Sequence, residues 1–211
     1  MLIPVLDHIL MRPGVQRLPT PKVQILQCRE FLDDALCKEL IRIIDQGRQP
    51  SETIDPVADT SIRTSETCDF TGKEPPVRAL DAMLSEISGI GLEYGELMQG
   101  QRYGVGQQYK AHTDTFNRGG ADWQRYCTVA GQRTWTFMVY LNAVDAGGGT
   151  RFKRLGKTFQ PEAGKLLCWN NLLGDGRTNP DTLHQGTKVR KGTKYVITKW
   201  YREKPLATKP V

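Results

Sequence analysis

The chain has 211 residues, with 29 Lys+Arg against 23 Asp+Glu and a formal charge of +6. That is the size of one domain whose core is large enough to fold without disulfide or metal staples. Charged residues make up 25% and are scattered, which excludes a disordered polyelectrolyte and gives a nucleic-acid partner no basic run to use.

The five cysteines (Cys28, Cys37, Cys68, Cys127, Cys168) form no CxxC pair. This argues against a secreted disulfide framework or a zinc ribbon and predicts a reducing, cytoplasmic compartment. The first residues carry Asp7 inside an apolar stretch and no basic leader, so they read as the start of the domain rather than a signal peptide. No apolar run reaches the ~18 residues of a membrane span.

In 30–47, apolar residues from Phe31 to Ile44 recur mostly at helical spacing before Gly47, predicting a helix. The polar stretch 49–70 reads as a long loop, either functional or disordered. A second helix is predicted over Pro75–Ser88, with Val77, Leu80, Leu84 and Ile87 on one stripe and Gly89 beyond its end. From residue 93 the pattern changes to short β-branched and aromatic segments between turn residues. Strands are predicted at 96–103, 107–113, 134–141, 165–169, 184–189 and 194–201, with a second long loop at 116–133. The expected fold is α+β, mainly β: a barrel or jelly roll backed by N-terminal helices. Residues 1–92 form the helical support with its loop, 93–203 the β core and 204–211 an extended tail.

The chain has only three histidines. His8 lies among apolar residues and reads as a packed or surface side chain. His112-Thr113-Asp114 puts an imidazole and a carboxylate on one face of a strand, although one such triplet equally fits a solvated surface strand. His184, 70 positions after Asp114, adds a second imidazole from another strand. Two His and one carboxylate on facing strands suit Fe(II) and leave coordination positions open for a co-substrate and dioxygen. Lys194 lies ten residues beyond His184, on a strand apolar on both faces. Either Lys194 or Lys199 then faces inward and needs an anion, unless Lys194 runs along the barrel rim. Trp123, Trp135 and Trp169 read as core or loop anchors, Met138 and Tyr140 as barrel packing, and Cys168 as inert.

The stretches QRYGVGQQYKAHTD (101–114), GQRTWTFMVYLN (131–142), GGGTRF (147–152), PEAGKLLCWNN (161–171) and TLHQGTKVRKGTKYVITKWYRE (182–203) resemble the iron- and 2-oxoglutarate-dependent dioxygenases. Within these they resemble the prolyl 4-hydroxylase group, and 63–70 and 75–96 resemble its upstream part. The resemblance implies a double-stranded β-helix in which His112, Asp114 and His184 ligate Fe(II). It implies that Lys194 holds the distal carboxylate of 2-oxoglutarate with help from Thr150, and that Tyr103 hydrogen-bonds the co-substrate. Tyr109, Arg133 and Trp200 would line the substrate channel, and the 49–70 loop would act as a lid. Two stretches depart from the family pattern, at Gly149 and Lys153 and at Lys188, and none of these residues is a ligand.

The activity implied is hydroxylation of prolyl residues in a peptide or protein to 4-hydroxyproline, with succinate and CO2 released, dioxygen consumed and ascorbate as an accessory reductant. A lysine at the co-substrate position separates this group from nucleic-acid demethylases, so neither nucleic acid nor membrane is an expected partner. The oligomeric state stays open, a homodimer included. Two other readings remain: the same chemistry on a free amino acid or other small molecule, and a non-catalytic β-barrel binding module using the positive charge.

Overall fold

Alternation along the central strands sets the architecture, which a computed structural model describes for residues 4–51 and 62–206. In β7 (Arg133–Tyr140), Phe137 and Val139 join one buried cluster while Met138 and Tyr140 join another. In β11 (Leu166–Asn170), Leu166 and Cys168 separate in the same way from Leu167 and Trp169. Successive side chains on a strand point to opposite faces, so these strands carry a core on each side.

Both belong to an eight-stranded sheet. The others in it are β1 (Val15–Arg17), β2 (Ile25–Cys28), β3 (Gln49–Pro50), β4 (Glu66–Asp69), β5 (Gln99–Tyr103) and β14 (Lys194–Arg202). Their order is β1-β2-β11-β7-β14-β5-β4-β3. A smaller sheet contains β6 (Tyr109–His112), β9 (Thr150–Phe152), β10 (Lys157–Phe159) and β12 (His184–Gly186), in the order β10-β9-β12-β6. A short pair joins β8 (Ala146–Gly147) to β13 (Val189–Lys191). One core, with Tyr140, Trp169 and Phe152, lies between the two sheets. The other lies between the large sheet and the helices. This is the double-stranded β-helix that the resemblance implies.

Of the helices, α1 (Val5–Leu10) and α4 (Ala121–Tyr126) are short, the latter inside the predicted loop 116–133. The predicted 30–47 helix begins at Asp34, as α2 (Asp34–Gly47), because Glu30 turns with φ 54° and the Asp33 carboxylate caps the Leu36 amide at 2.8 Å. α3 (Pro75–Ser88) ends where Gly89 takes φ 69°, a left-handed cap that glycine adopts without strain. His8 packs beside that glycine, its Nδ1 3.3 Å from the Ile87 carbonyl.

Before residue 93 the sequence predicts only helices and a loop, yet β1 to β4 lie there and extend both ends of the large sheet. The flanks of the 49–70 loop are β3 and β4. Residues 52–61 of that loop, and 207–211 of the predicted tail, lie outside the described residues. The predicted strand 184–189 divides between β12 and β13, because the chain leaves the small sheet after Gly186.

The β14 strand buries both of its lysines, on opposite faces, where the sequence expects one. Lys199, 2% exposed, points to the helices and sits 2.8 Å from Asp81 of α3 in an ionic contact. Removing one partner of such a pair leaves a buried charge uncompensated. Asp81→Ala is therefore expected to destabilise the fold by about 3 kcal/mol, read as a lower midpoint in urea with an unchanged slope.

Candidate active site

The bond that unites the candidate ligands is a sheet register. His184 of β12 is the direct cross-strand partner of His112 of β6. The two histidines therefore stand side by side on neighbouring strands of the small sheet, not on facing strands as the sequence suggests. Asp114 lies just past the end of β6, and its Oδ1 is 3.8 Å from His112 Nε2. One donor atom from each of His112, Asp114 and His184 can be chosen so that all lie within 4.8 Å of one another.

The backbone sets the ring orientation. His112 Nδ1 is 2.8 Å from the Lys110 carbonyl and His184 Nδ1 is 2.9 Å from the Thr182 carbonyl. A carbonyl only accepts, so each Nδ1 carries the proton and each Nε2 is left as the inward donor. Burial and the adjacent His184 push His112 well below the ordinary histidine range, which keeps its ring neutral. Burial raises the Asp114 pKa, but the imidazoles of His184 and His112 and the Thr136 hydroxyl outweigh it and hold the acid ionised. Two imidazoles and one carboxylate on one side of a cavity fit Fe(II) and leave its other side open.

That cavity, about 370 Å³, lies between the two sheets and is lined by all nine residues singled out in the sequence. Lys194 is 2% exposed and has no carboxylate partner among the described residues. Its Nζ lies 5.0 Å from the centroid of Tyr103 and 5.4 Å from that of Tyr140. Burial alone pulls its pKa down to about 7. An isolated buried ammonium is costly unless a counter-ion joins it, so the carboxylate of a dicarboxylic acid fits there. Thr150 accepts a 2.7 Å hydrogen bond from the Tyr140 hydroxyl, which fixes both groups beneath the lysine.

Toward the mouth, Tyr109 stacks on His112 with centroids 3.6 Å apart, and Arg63 covers it at 5.1 Å. Arg133 lies 4.0 Å from the centroid of Trp200 and makes two 2.7 Å hydrogen bonds to the Glu96 carboxylate. Arg202 holds the same carboxylate at 2.9 Å. Arg133 is thus held in place by a carboxylate that it shares with Arg202, and it offers the cavity a planar surface stacked on an indole.

Several of these partners escape sequence reasoning. Thr136 donates a 2.7 Å hydrogen bond to Asp114 Oδ2 and accepts one of 2.8 Å from Asn171. Its only sequence signal is a hydroxyl in phase with Met138 and Tyr140, in the mainly apolar run from Trp135 to Tyr140. Tyr140, predicted as packing, packs and also supports Thr150. Removing a group that orients a metal ligand costs metal affinity. Thr136→Val is expected to weaken Fe(II) or Co(II) binding by about 10–100-fold, measured by metal titration.

Comparison with known proteins agrees with this geometry. A sequence model of the 2OG-Fe(II) oxygenase superfamily matches residues 98–202. Prolyl 4-hydroxylase subunit alpha-1 of Rattus norvegicus is 28% identical over 201 residues, covering 92% of this chain and 37% of the rat protein. The chain thus spans little more than a third of that relative. A probable prolyl 4-hydroxylase 10 of Arabidopsis thaliana is 29% identical over 197 residues, covering 82% of this chain and 66% of the plant protein. Among solved structures, the viral collagen prolyl hydroxylase of Paramecium Bursaria Chlorella virus-1, in its 2OG complex, superposes with a TM-score of 0.67 at 27% identity. That match covers 84% of this chain and 95% of the viral one. The chain belongs to the 2OG-Fe(II) oxygenase superfamily, and the relatives and solved structure it resembles here are prolyl hydroxylases.

Proposed function

We propose that this chain is an Fe(II)- and 2-oxoglutarate-dependent dioxygenase that hydroxylates prolyl residues of a peptide or protein to 4-hydroxyproline. The observation that carries the reading is the pairing of two features in one cavity: a half-open His112/Asp114/His184 donor set and the buried Lys194, which has no carboxylate partner among the described residues. The relatives supply the substrate class, since they are prolyl hydroxylases.

Fe(II) and 2-oxoglutarate, when bound, supply oxidative decarboxylation that makes dioxygen an oxidant for a C–H bond, with succinate and CO2 as co-products. The protein holds and orients. His112, Asp114 and His184 hold the metal, with Thr136 and two backbone carbonyls fixing their directions. Lys194 holds the distal carboxylate, and Thr150 and Tyr103 shape the pocket around it. Tyr109, Trp200 and Arg133 form the surface on which a pyrrolidine ring packs, an apolar and cation–π environment that excludes water.

The likeness to its family also brings ascorbate into the proposal as accessory reductant. The five cysteines, all buried and unpaired, support a reducing, cytoplasmic setting.

The test is incubation with proline-containing peptides, iron and 2-oxoglutarate, read by succinate release and mass spectrometry. The expected result is a gain of one oxygen on a proline, dependent on both additions. Oxidation of free amino acids but of no peptide would replace the substrate assignment.

A further inference from the structure

A second cavity, of about 360 Å³, lies away from the active site and shares no lining residue with it. It lies where the two sheets each run out. Among the described residues, β1 ends the large sheet and pairs only with β2, and β10 ends the small sheet and pairs only with β9. Gln16, Arg17 and Leu18 come to the cavity from one edge, and Lys157, Thr158 and Phe159 from the other. Each edge strand leaves one side of its backbone outside the ladder, and such edges accept an extended chain.

The charges of this cleft are one-sided. Arg17, Arg29, Lys157 and Lys165 line it against a single carboxylate, Glu162. That carboxylate is already shared, 2.7 Å from the buried Lys165 and 3.0 Å from Arg29. Arg17 and Lys157 have no carboxylate partner among the described residues. Two cations with no carboxylate partner among the described residues, one on each edge strand, thus flank this cavity of about 360 Å³. We propose that this cleft is a second binding site, for an acidic peptide segment in extended conformation. Its backbone would add to a sheet edge, and its Asp or Glu side chains would meet Arg17 and Lys157.

The site stands apart from the catalytic reading, and its test does too. A fluorescent peptide of alternating Glu and Val, free of proline, is titrated into the full chain with anisotropy readout, alongside a Lys–Val counterpart. The proposal expects saturable binding of the acidic peptide only, weakening as salt rises. It also expects a loss of about tenfold or more in an Arg17→Glu/Lys157→Glu variant whose succinate release from a proline peptide is unchanged. Equal binding of the Lys–Val peptide, or full affinity in the double variant, overturns it. So does displacement by glutarate at the concentration at which the peptide itself competes, since the cleft would then be a small-dianion site.

Discussion

His184→Ala is expected to lose metal binding and, with it, iron-dependent succinate release by well over a hundredfold. Loss of an outer group that merely orients a ligand costs about 10–100-fold, and this change deletes a ligand. The site has no substitute. Among the described residues, His112, Asp114 and His184 are the only cluster with metal-ligand geometry, and His8 is held at the Ile87 carbonyl. The fold should survive, because His184 stands at the rim of the inter-sheet core, against Trp169 and Phe152. A folded variant, checked by its circular dichroism, that kept iron and full turnover would remove the triad from the account.

Lys194→Met carries the second large effect, and it separates two properties. Affinity for 2-oxoglutarate should fall by roughly two orders of magnitude, the cost of deleting one partner of a buried charge pair, while metal binding stays. The ligand-free protein should become more stable, by about 1–3 kcal/mol, since a buried ammonium with no partner is replaced by an apolar chain of similar length.

The same lysine sets a pH dependence. Its folded, ligand-free pKa is depressed to about 7 from an ordinary 10.5. Between those values the unfolded chain binds more protons, so this group makes the ligand-free fold more stable as pH rises through that window. Binding of the dicarboxylate runs the other way, because it needs the ammonium. Affinity should be greatest near and below pH 7 and weaken as pH rises above it, and a calorimetric pH series in wild type and Lys194→Met measures both slopes.

How far the residues announced this arrangement depends on the range of the interaction. The α3 helix is written locally, in an apolar stripe and a terminal glycine, and its bounds are those read from the sequence. The clustering of His112, Asp114 and His184 was legible because rare residue types sit at fixed spacing on strands whose alternation points them inward. Strands of two to four residues, such as β2 and β4, were not. Besides their near neighbours β1 and β3, they pair with β11 and β5, far along the chain, and nothing in a window of their own length specifies that pairing. Thr136 and Glu96 were invisible for the same reason: each matters only through a partner brought by another strand. The two β14 lysines show the limit in one element. Alternation placed them on opposite faces, but only α3, with Asp81, explains why Lys199 is also buried.

The claim at the centre is that one cavity holds a divalent metal and 2-oxoglutarate together, the first on His112, Asp114 and His184 and the second on Lys194. Equilibrium dialysis of 2-oxoglutarate against the protein without oxygen, with and without Fe(II), measures that directly. The account predicts one 2-oxoglutarate retained per chain, tightly only when Fe(II) is present and not by Lys194→Met. Retention that is indifferent to metal, or undiminished in Lys194→Met, would contradict it.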